Sequence, residues 1–298
     1  MADTTFRTIL PPLKAVDNGD GTHSVSILDV NSAAILAALQ TIRGESLLAI
    51  ARGNVSGITH INKFGRNPDI DPAASSTAVN IGRTIWDGGI AGAVNWLAPT
   101  AARIHQIVST DTDDGAGTLA GARTVRVYGL AADFALQQED LILNGTSNVA
   151  TVNTYTMIYR IIVLTAGATG YNEGAITATA DSDGTVTAKI TAQNNQTLMA
   201  VYQIPAATKG YMYHYYASLH KTGGAAKFAD VFLLSMRDGG FWRIRDATDL
   251  ASDGSTYLER NFDVPKVFEA KELIQIVANP SADAQDISAG FDLILVDD

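Results

Sequence analysis

The chain has no cysteine in 298 residues, which removes disulfides, thiolate metal sites and cysteine nucleophiles together. It also lacks an excess of positive charge: 21 Lys and Arg against 31 Asp and Glu give a formal charge of −10. Phosphate backbones are held by clustered basic side chains, so no nucleic-acid partner is expected. The nearest approach to such a cluster, Arg237, Arg243 and Arg245, is interrupted by Asp238 and Asp246. No apolar run reaches the roughly 18 residues of a membrane helix, and the opening Met1-Ala2-Asp3-Thr4-Thr5-Phe6-Arg7 has no apolar signal-peptide core. Synthesis in the cytoplasm and no membrane partner are the expectations. The Asn-x-Ser/Thr matches at Asn54, Asn144 and Asn195 then carry no glycan.

Motifs of chemistry are scarce too. The histidines at 23, 60, 105, 214 and 220 include no His-x-His or His-x-x-x-His pair. His214 and His220 on one regular strand would lie about 20 Å apart, too far to share a metal ion. Asp111-Thr112-Asp113-Asp114-Gly115 opens like a calcium loop, but position 122 is Ala where an EF-hand closes with Glu. There is no Gly-x-Ser-x-Gly elbow, Walker loop or dinucleotide fingerprint. No catalytic, cofactor or metal residues are therefore assigned, and the chain is read as non-enzymatic.

What is present is a long series of short alternating segments. Phe6–Leu10 alternates and stops at Pro11-Pro12, and Asn18-Gly19-Asp20-Gly21 is a hairpin turn before Thr22–Leu28. Asn31-Ser32 caps a predicted helix over Ala33–Ile42, whose Ile35, Leu36, Leu39 and Ile42 share one face. Ser46–Arg52 fits a short helix or a buried strand equally. From Gly53 to Pro99 the pattern dissolves into Gly, Asn, Ala, Ser and Pro, and a stretch of that kind suits docking against a partner.

Beyond residue 100 the period of two takes over. Strands are predicted at 103–109, 122–128, 137–144, 156–165, 175–180 and 186–191, and again at 197–204, 210–220, 228–237, 240–245, 255–262, 273–278 and 287–296. Turn residues such as Asn144-Gly145 and Asp183-Gly184 separate them. The fold class is mainly β: one or two antiparallel β-sandwich modules, jelly-roll-like, behind a loop-rich N-terminal region with a short helix. The expected divisions are 1–100, a docking arm; 101–194, a β-module; and 195–298, a second β-module.

Two segments stand out as candidate docking surface. Phe64, Arg66, Asn67, Pro68 and Asp69 form an irregular loop braced by Arg66 with Asp69 and Asp71, and Trp86 follows it. The densest aromatic run is Tyr211-Met212-Tyr213-His214-Tyr215-Tyr216, in which a regular strand places Tyr211, Tyr213 and Tyr215 on one face. A central strand packed on both faces, a subunit interface and a sugar platform are all open readings of that run.

Lys63–Asp71, Thr84–Gly89, Gly121–Leu130, Leu141–Thr146, Gln203–Ala206 with Lys209–Tyr211, and the closing Ile287–Asp297 together resemble a family of virion structural proteins of tailed bacteriophages. The resemblance spans roughly residues 45–298. It implies a virion component of the capsid-decoration or neck-tail accessory type, made in the host cytoplasm, whose partners are capsid, portal, neck or tail proteins. It also implies a homo-oligomer, a trimer by preference, that docks by many repeated contacts. The alternative is a receptor- or glycan-binding tail fibre or spike component with the tyrosine run as platform. A main capsid lattice protein built on a long spine helix does not fit, because the longest predicted helix is about three turns.

Overall fold

The computed structural model describes residues 15–17, 23–25, 49–50, 52–72, 81–89, 95–220, 227–254 and 256–298. The chain divides into two units, Met1–Ser56 and Gly57–Asp298. In the first, β1 (Ala15–Asp17) and β2 (His23–Val25) pair antiparallel with Ala15 opposite Val25, as the Asn18–Gly21 turn predicts. That turn, the Phe6–Leu10 strand and the Ala33–Ile42 helix lie outside the described residues. Ala49 and Ile50 are helical, and the amides of Gly53 and Asn54 close that turn on their carbonyls at 2.9 and 2.8 Å.

The second unit opens with β3 (Ile58–Ile70), β4 (Arg83–Thr84) and a 3-10 turn at Asp87–Gly89. Then come β5 (His105–Ser109), β6 (Ala122–Leu130), β7 (Leu136–Ile142), β8 (Val149–Ala150), β9 (Met157–Ala166), β10 (Ile176–Ala180) and β11 (Val186–Ile190). The last set is β12 (Val201–Gln203), β13 (Thr208–His220), β14 (Phe228–Met236), β15 (Trp242–Ala251), β16 (Tyr257–Phe268), β17 (Leu273–Pro280) and β18 (Gln285–Asp297). The described residues are nearly all β, in small antiparallel sheets. Every strand predicted beyond residue 100 overlaps one in the structure, although β15 and β16 run past their expected ends at 245 and 262 to Ala251 and Phe268. The irregular stretch expected from Gly53 to Pro99 is corrected at Ile58–Ile70, a 13-residue strand.

Two sheets share one core. The four-stranded sheet, in order β16-β13-β18-β3, contributes Tyr215, Ala217, Phe291 and Leu293; the five-stranded sheet, β12-β17-β14-β15 with β4 on β17, contributes Val231, Leu233, Ile274 and Ile276. Ile70 and Ile85 join this core, so the segment before residue 90 packs with strands that follow residue 200. A second core holds Ile107, Val125, Val127, Ile158, Ile161 and Ile176. It is built from the sheets β11-β10-β5-β8 and β7-β6-β9. A third cluster, Trp86, Trp96, Met157, Met199, Val201 and Leu273, joins the two regions. Each fully buried aromatic or large aliphatic side chain contributes roughly 1.5–3 kcal/mol.

The Asp111–Gly115 run has a structural use. Asp114 is fully buried, and its carboxylate accepts from Ser109 Oγ at 2.6 Å, Ala122 N at 2.8 Å, and Glu173 N and Gly174 N at 2.9 Å. Its oxygens are therefore committed to the protein and fix the turn after β5 against the entry to β10. Asp114→Ala strands those donors in the interior, and the expected loss is about 3 kcal/mol or more. Urea unfolding of the full chain measures it; a loss below about 1 kcal/mol contradicts this role.

Candidate functional site

Strand β18 pairs with β3 on one side and β13 on the other, and β13 pairs with β16. Residues directly opposite in a ladder share a face. Gly290 stands between Phe64 and Tyr216, Asp292 between Asn62 and His214, and Ile294 between His60 and Tyr211. Tyr216 in turn faces Glu259. The sheet thus brings the Phe64 segment and the tyrosine run, separate in sequence, onto one outer face.

The tyrosine run does not alternate as expected. A register shift between Met212 and His214 leaves Tyr213 as an extra residue, and a one-residue slip exchanges the two faces. Met212 and Tyr215 both point inward with no exposure, and Tyr215 stacks on Phe262 at 5.8 Å. His214 and Tyr216 point outward instead. Gly290 makes room for Tyr216: a Cβ there would stand 2.6 Å from the Tyr216 hydroxyl. Tyr216 lies 5.9 Å from the His214 ring and 6.5 Å from the Tyr257 ring, a row of planar groups along β13 and β16. Burial raises the Tyr216 pKa, which keeps its phenol a hydrogen-bond donor at neutral pH.

Asp292 is the polar hub of this face. Asn62 Nδ2 donates to its Oδ1 at 2.7 Å and His214 Nδ1 to its Oδ2 at 2.8 Å, while His60 Nε2 lies 3.3 Å from Oδ1. Tyr213 Oη is 3.0 Å from His60 Nε2. His214 thus lies between two carboxylates, with Asp292 Oδ2 2.8 Å from its Nδ1 and Glu259 Oε1 3.4 Å from its Nε2. An Asp-His pair acts as a base on a hydroxyl or thiol, and here a carboxylate stands at the working nitrogen. The arrangement ties four strands together and offers acceptors beside aromatic rings, a combination suited to hydroxyl-rich ligands.

The other expected docking residues are placed as follows. Phe64 is half-buried on the outer face. Arg66 is exposed, but its guanidinium forks onto Asp286 at 2.9 and 2.6 Å, not onto Asp69 or Asp71 as expected. Asn67 is buried, with Oδ1 accepting from Asp69 N at 3.0 Å and Nδ2 donating to Gly89 O at 3.2 Å. Pro68 is exposed and Asp69 half-buried, both within β3 and not in a loop. Trp86 and Tyr215, 1% and 0% exposed, are core residues and present nothing to a partner.

Two buried charges went unread in the sequence. Lys63 points inward from β3, donates to Tyr159 O and lies over the Tyr159 ring at 5.7 Å, and burial lowers its pKa. Asp87, 2% exposed, accepts from Thr191 N at 3.3 Å, and burial pushes its pKa up to about 7. Neither residue sits in a motif, and only the packing of β3 and β11 around the Asp87 turn puts them inside.

No protein-family model matches this chain, and no curated protein matches it. Among solved structures, one of the Gt strain of infectious bursal disease virus aligns at 12% identity and a TM-score of 0.20, over 81% of this chain and 73% of that one. A VP2 subviral particle of the same virus aligns at 12% identity and a TM-score of 0.18, over 78% and 67%.

Asp87 gives a pH dependence of definite sign. A carboxyl raised in the folded state from 3.8 to about 7 contributes stability that is complete below the unfolded value and lost as pH rises through about 7. Its full size is on the order of 4 kcal/mol. Lys63 acts in the opposite sense, so the comparison is with Asp87→Asn. Between pH 5 and 8.5 the wild type is expected to lose more stability than that variant in urea titrations; parallel profiles overturn the assignment.

Proposed function

We propose that this chain is a non-enzymatic structural component of a virus particle, built on a jelly-roll body that carries an inserted second β-module. The strand order supports the body. Numbered one to eight, β3 and β12 through β18 run 1-8-3-6 in one sheet and 2-7-4-5 in the other, with their inward faces sharing one core. That is the order of two interlocked Greek keys in a jelly roll, an architecture used by viral capsid and lectin domains and by cupins. Strands β5–β11 leave the body after β4 and return at β12, which makes them an insertion.

A fold alone fixes no function. A cupin works inside its barrel, whereas the space between these sheets is filled by Tyr215, Phe268 and Phe291. The resemblance of Lys63–Asp71 and its companion segments to virion proteins of tailed bacteriophages supports the particle over a free lectin. Capsid decoration or a neck-tail accessory position, and self-assembly with other virion proteins, follow from that resemblance. A jelly roll needs no spine helix, so the argument against a lattice role weakens.

Mass spectrometry of purified particles tests the reading. The chain is expected in multiple copies per particle; recovery only from the soluble lysate overturns it. A second reading, glycan binding, is favoured by the outer face where Tyr216 and Tyr257 stand beside Glu259 and the Asp292 hub. On a glycan array the full chain then binds, and Tyr216→Ala with Tyr257→Ala lowers the signal roughly tenfold or more. Absence of binding at high protein concentration removes this second reading.

A further inference from the structure

One row of the outer face crosses all four strands: Asn62, Asp292, His214 and Asn261, each opposite the next in its ladder. In the adjoining row Glu259 stands opposite Tyr216. Each carboxylate here has a carboxamide for a neighbour. Asn62 Nδ2 donates to Asp292 Oδ1 at 2.7 Å, and Asn261 Nδ2 donates to Glu259 Oε1 at 3.4 Å. The Tyr257 hydroxyl donates to the other Glu259 oxygen at 3.3 Å. Asn62, Glu259 and Asn261 are exposed, so both pairs open to solvent. Three strand spacings separate Asn62 from Asn261, about 14 Å. The rings of His214 and Tyr216 lie between the two pairs.

Charge sorts the ligands that such a face can hold. Arg66 forks onto Asp286, His60 and His214 both face Asp292, and Lys209 at the start of β13 is 3.2 Å from Asp298. The cations around these rows are therefore matched within the chain, whereas Glu259 presents a carboxylate that is 47% exposed. A carboxylated ligand meets repulsion there and finds no free cation in return. A cationic ligand suits the carboxylates, but it can only donate, and it leaves the carboxamide N–H groups beside them without acceptors. A sugar hydroxyl both donates and accepts, so neighbouring hydroxyls match a carboxylate set beside a carboxamide. The apolar face of a pyranose ring also covers an aromatic ring. The distance from one pair to the other exceeds a single pyranose.

We propose that the outer face of the β16-β13-β18-β3 sheet takes an uncharged oligosaccharide of more than one ring, with Asn62–Asp292 and Asn261–Glu259 as two hydroxyl-reading pairs on either side of the His214 and Tyr216 rings. Glu259 is the residue that turns away carboxylated counterparts of the same glycan. This inference rests on the glycan-binding reading and supplies the class of glycan. It does not depend on the virion reading.

The test is an array of uncharged oligosaccharides beside sialylated or uronic-acid counterparts of the same length, probed with the full chain. The wild type is expected to bind the uncharged members roughly tenfold or more above the carboxylated ones. Glu259→Gln is expected to lose signal on the uncharged members and gain it on the carboxylated ones, so that the ratio falls roughly fivefold or more. A change that merely loosened the sheet would lower both signals together. An unfolding midpoint like the wild type's shows that the variant is folded. Equal binding of the two classes, or an unchanged ratio in the folded variant, overturns the selectivity and leaves the glycan reading standing. Tighter binding of a lysine-rich peptide than of any glycan, or no glycan binding at all, overturns both.

Discussion

The ladder between β3 and β18 is the contact on which the larger unit depends. It joins Asn62 to Asp292, 230 positions apart, and makes the closing strand a central one with β3 on one flank and β13 on the other. Contacts of such sequence separation carry a large loop-closure cost, offset only by a long ladder and a filled core. Here β3 and β18 each run 13 residues, and Phe291, Leu293 and Leu295 from the inner face of β18 are buried.

The same ladder positions the neck of the inserted module. The chain going out at Ile85–Asp87 and the chain coming back at Leu198–Ala200 run side by side: Ala200 N donates to Ile85 O at 3.0 Å and Asp87 N to Leu198 O at 2.8 Å. Gly65 of β3 lies directly beneath this crossing, where a Cβ would stand 2.3 Å from Ile85 O and 2.4 Å from Ala200 N. Only glycine lets the strand approach the neck backbone so closely. Lys63 and Asn67, its inward neighbours on β3, meet Tyr159 O and Gly89 O, so backbone carbonyls and not apolar side chains cover this part of the strand.

That packing explains what the sequence concealed. Strands beyond residue 100 are legible because their inward positions are apolar and their turns are rich in Gly, Asp and Asn, as in Ile176–Ala180 and Gln285–Asp297. In β3 the inward residues Lys63, Gly65 and Asn67 are the polar or small ones and Phe64 is outward, so alternation read as hydrophobic-inside fails there. Arg66 paired with Asp286 across the sheet is invisible for a related reason, since nothing local announces a partner 220 positions away. The tyrosine run was visible as a cluster, but one bulge residue, Tyr213, decides which tyrosines face out, and single-residue irregularities leave no compositional trace. The outer-face hub Asp292 was equally hidden, an ordinary acidic residue until β3 and β13 deliver His60, Asn62 and His214 to it.

The edges of the two sheets bear on how copies of such a body can meet. An exposed edge offers unpaired amides and carbonyls to any passing strand. The β16 edge runs Tyr257–Phe268 and is mostly exposed, but Pro265 withdraws one donor and Arg260, Asp263 and Lys266 place charge along it. On the β15 edge Arg245 is the extra residue at a register shift, and it reaches Val267 O at 2.9 Å. Lys266 and Arg260 from β16 both reach back to Asp246 of β15, at 3.3 and 3.6 Å, so the two edges are braced to each other. Strand addition is disfavoured on this side, which leaves the sheet faces as the open surfaces. There shape and charge are set by side chains in fixed register, which gives a contact specificity that a bare backbone edge lacks.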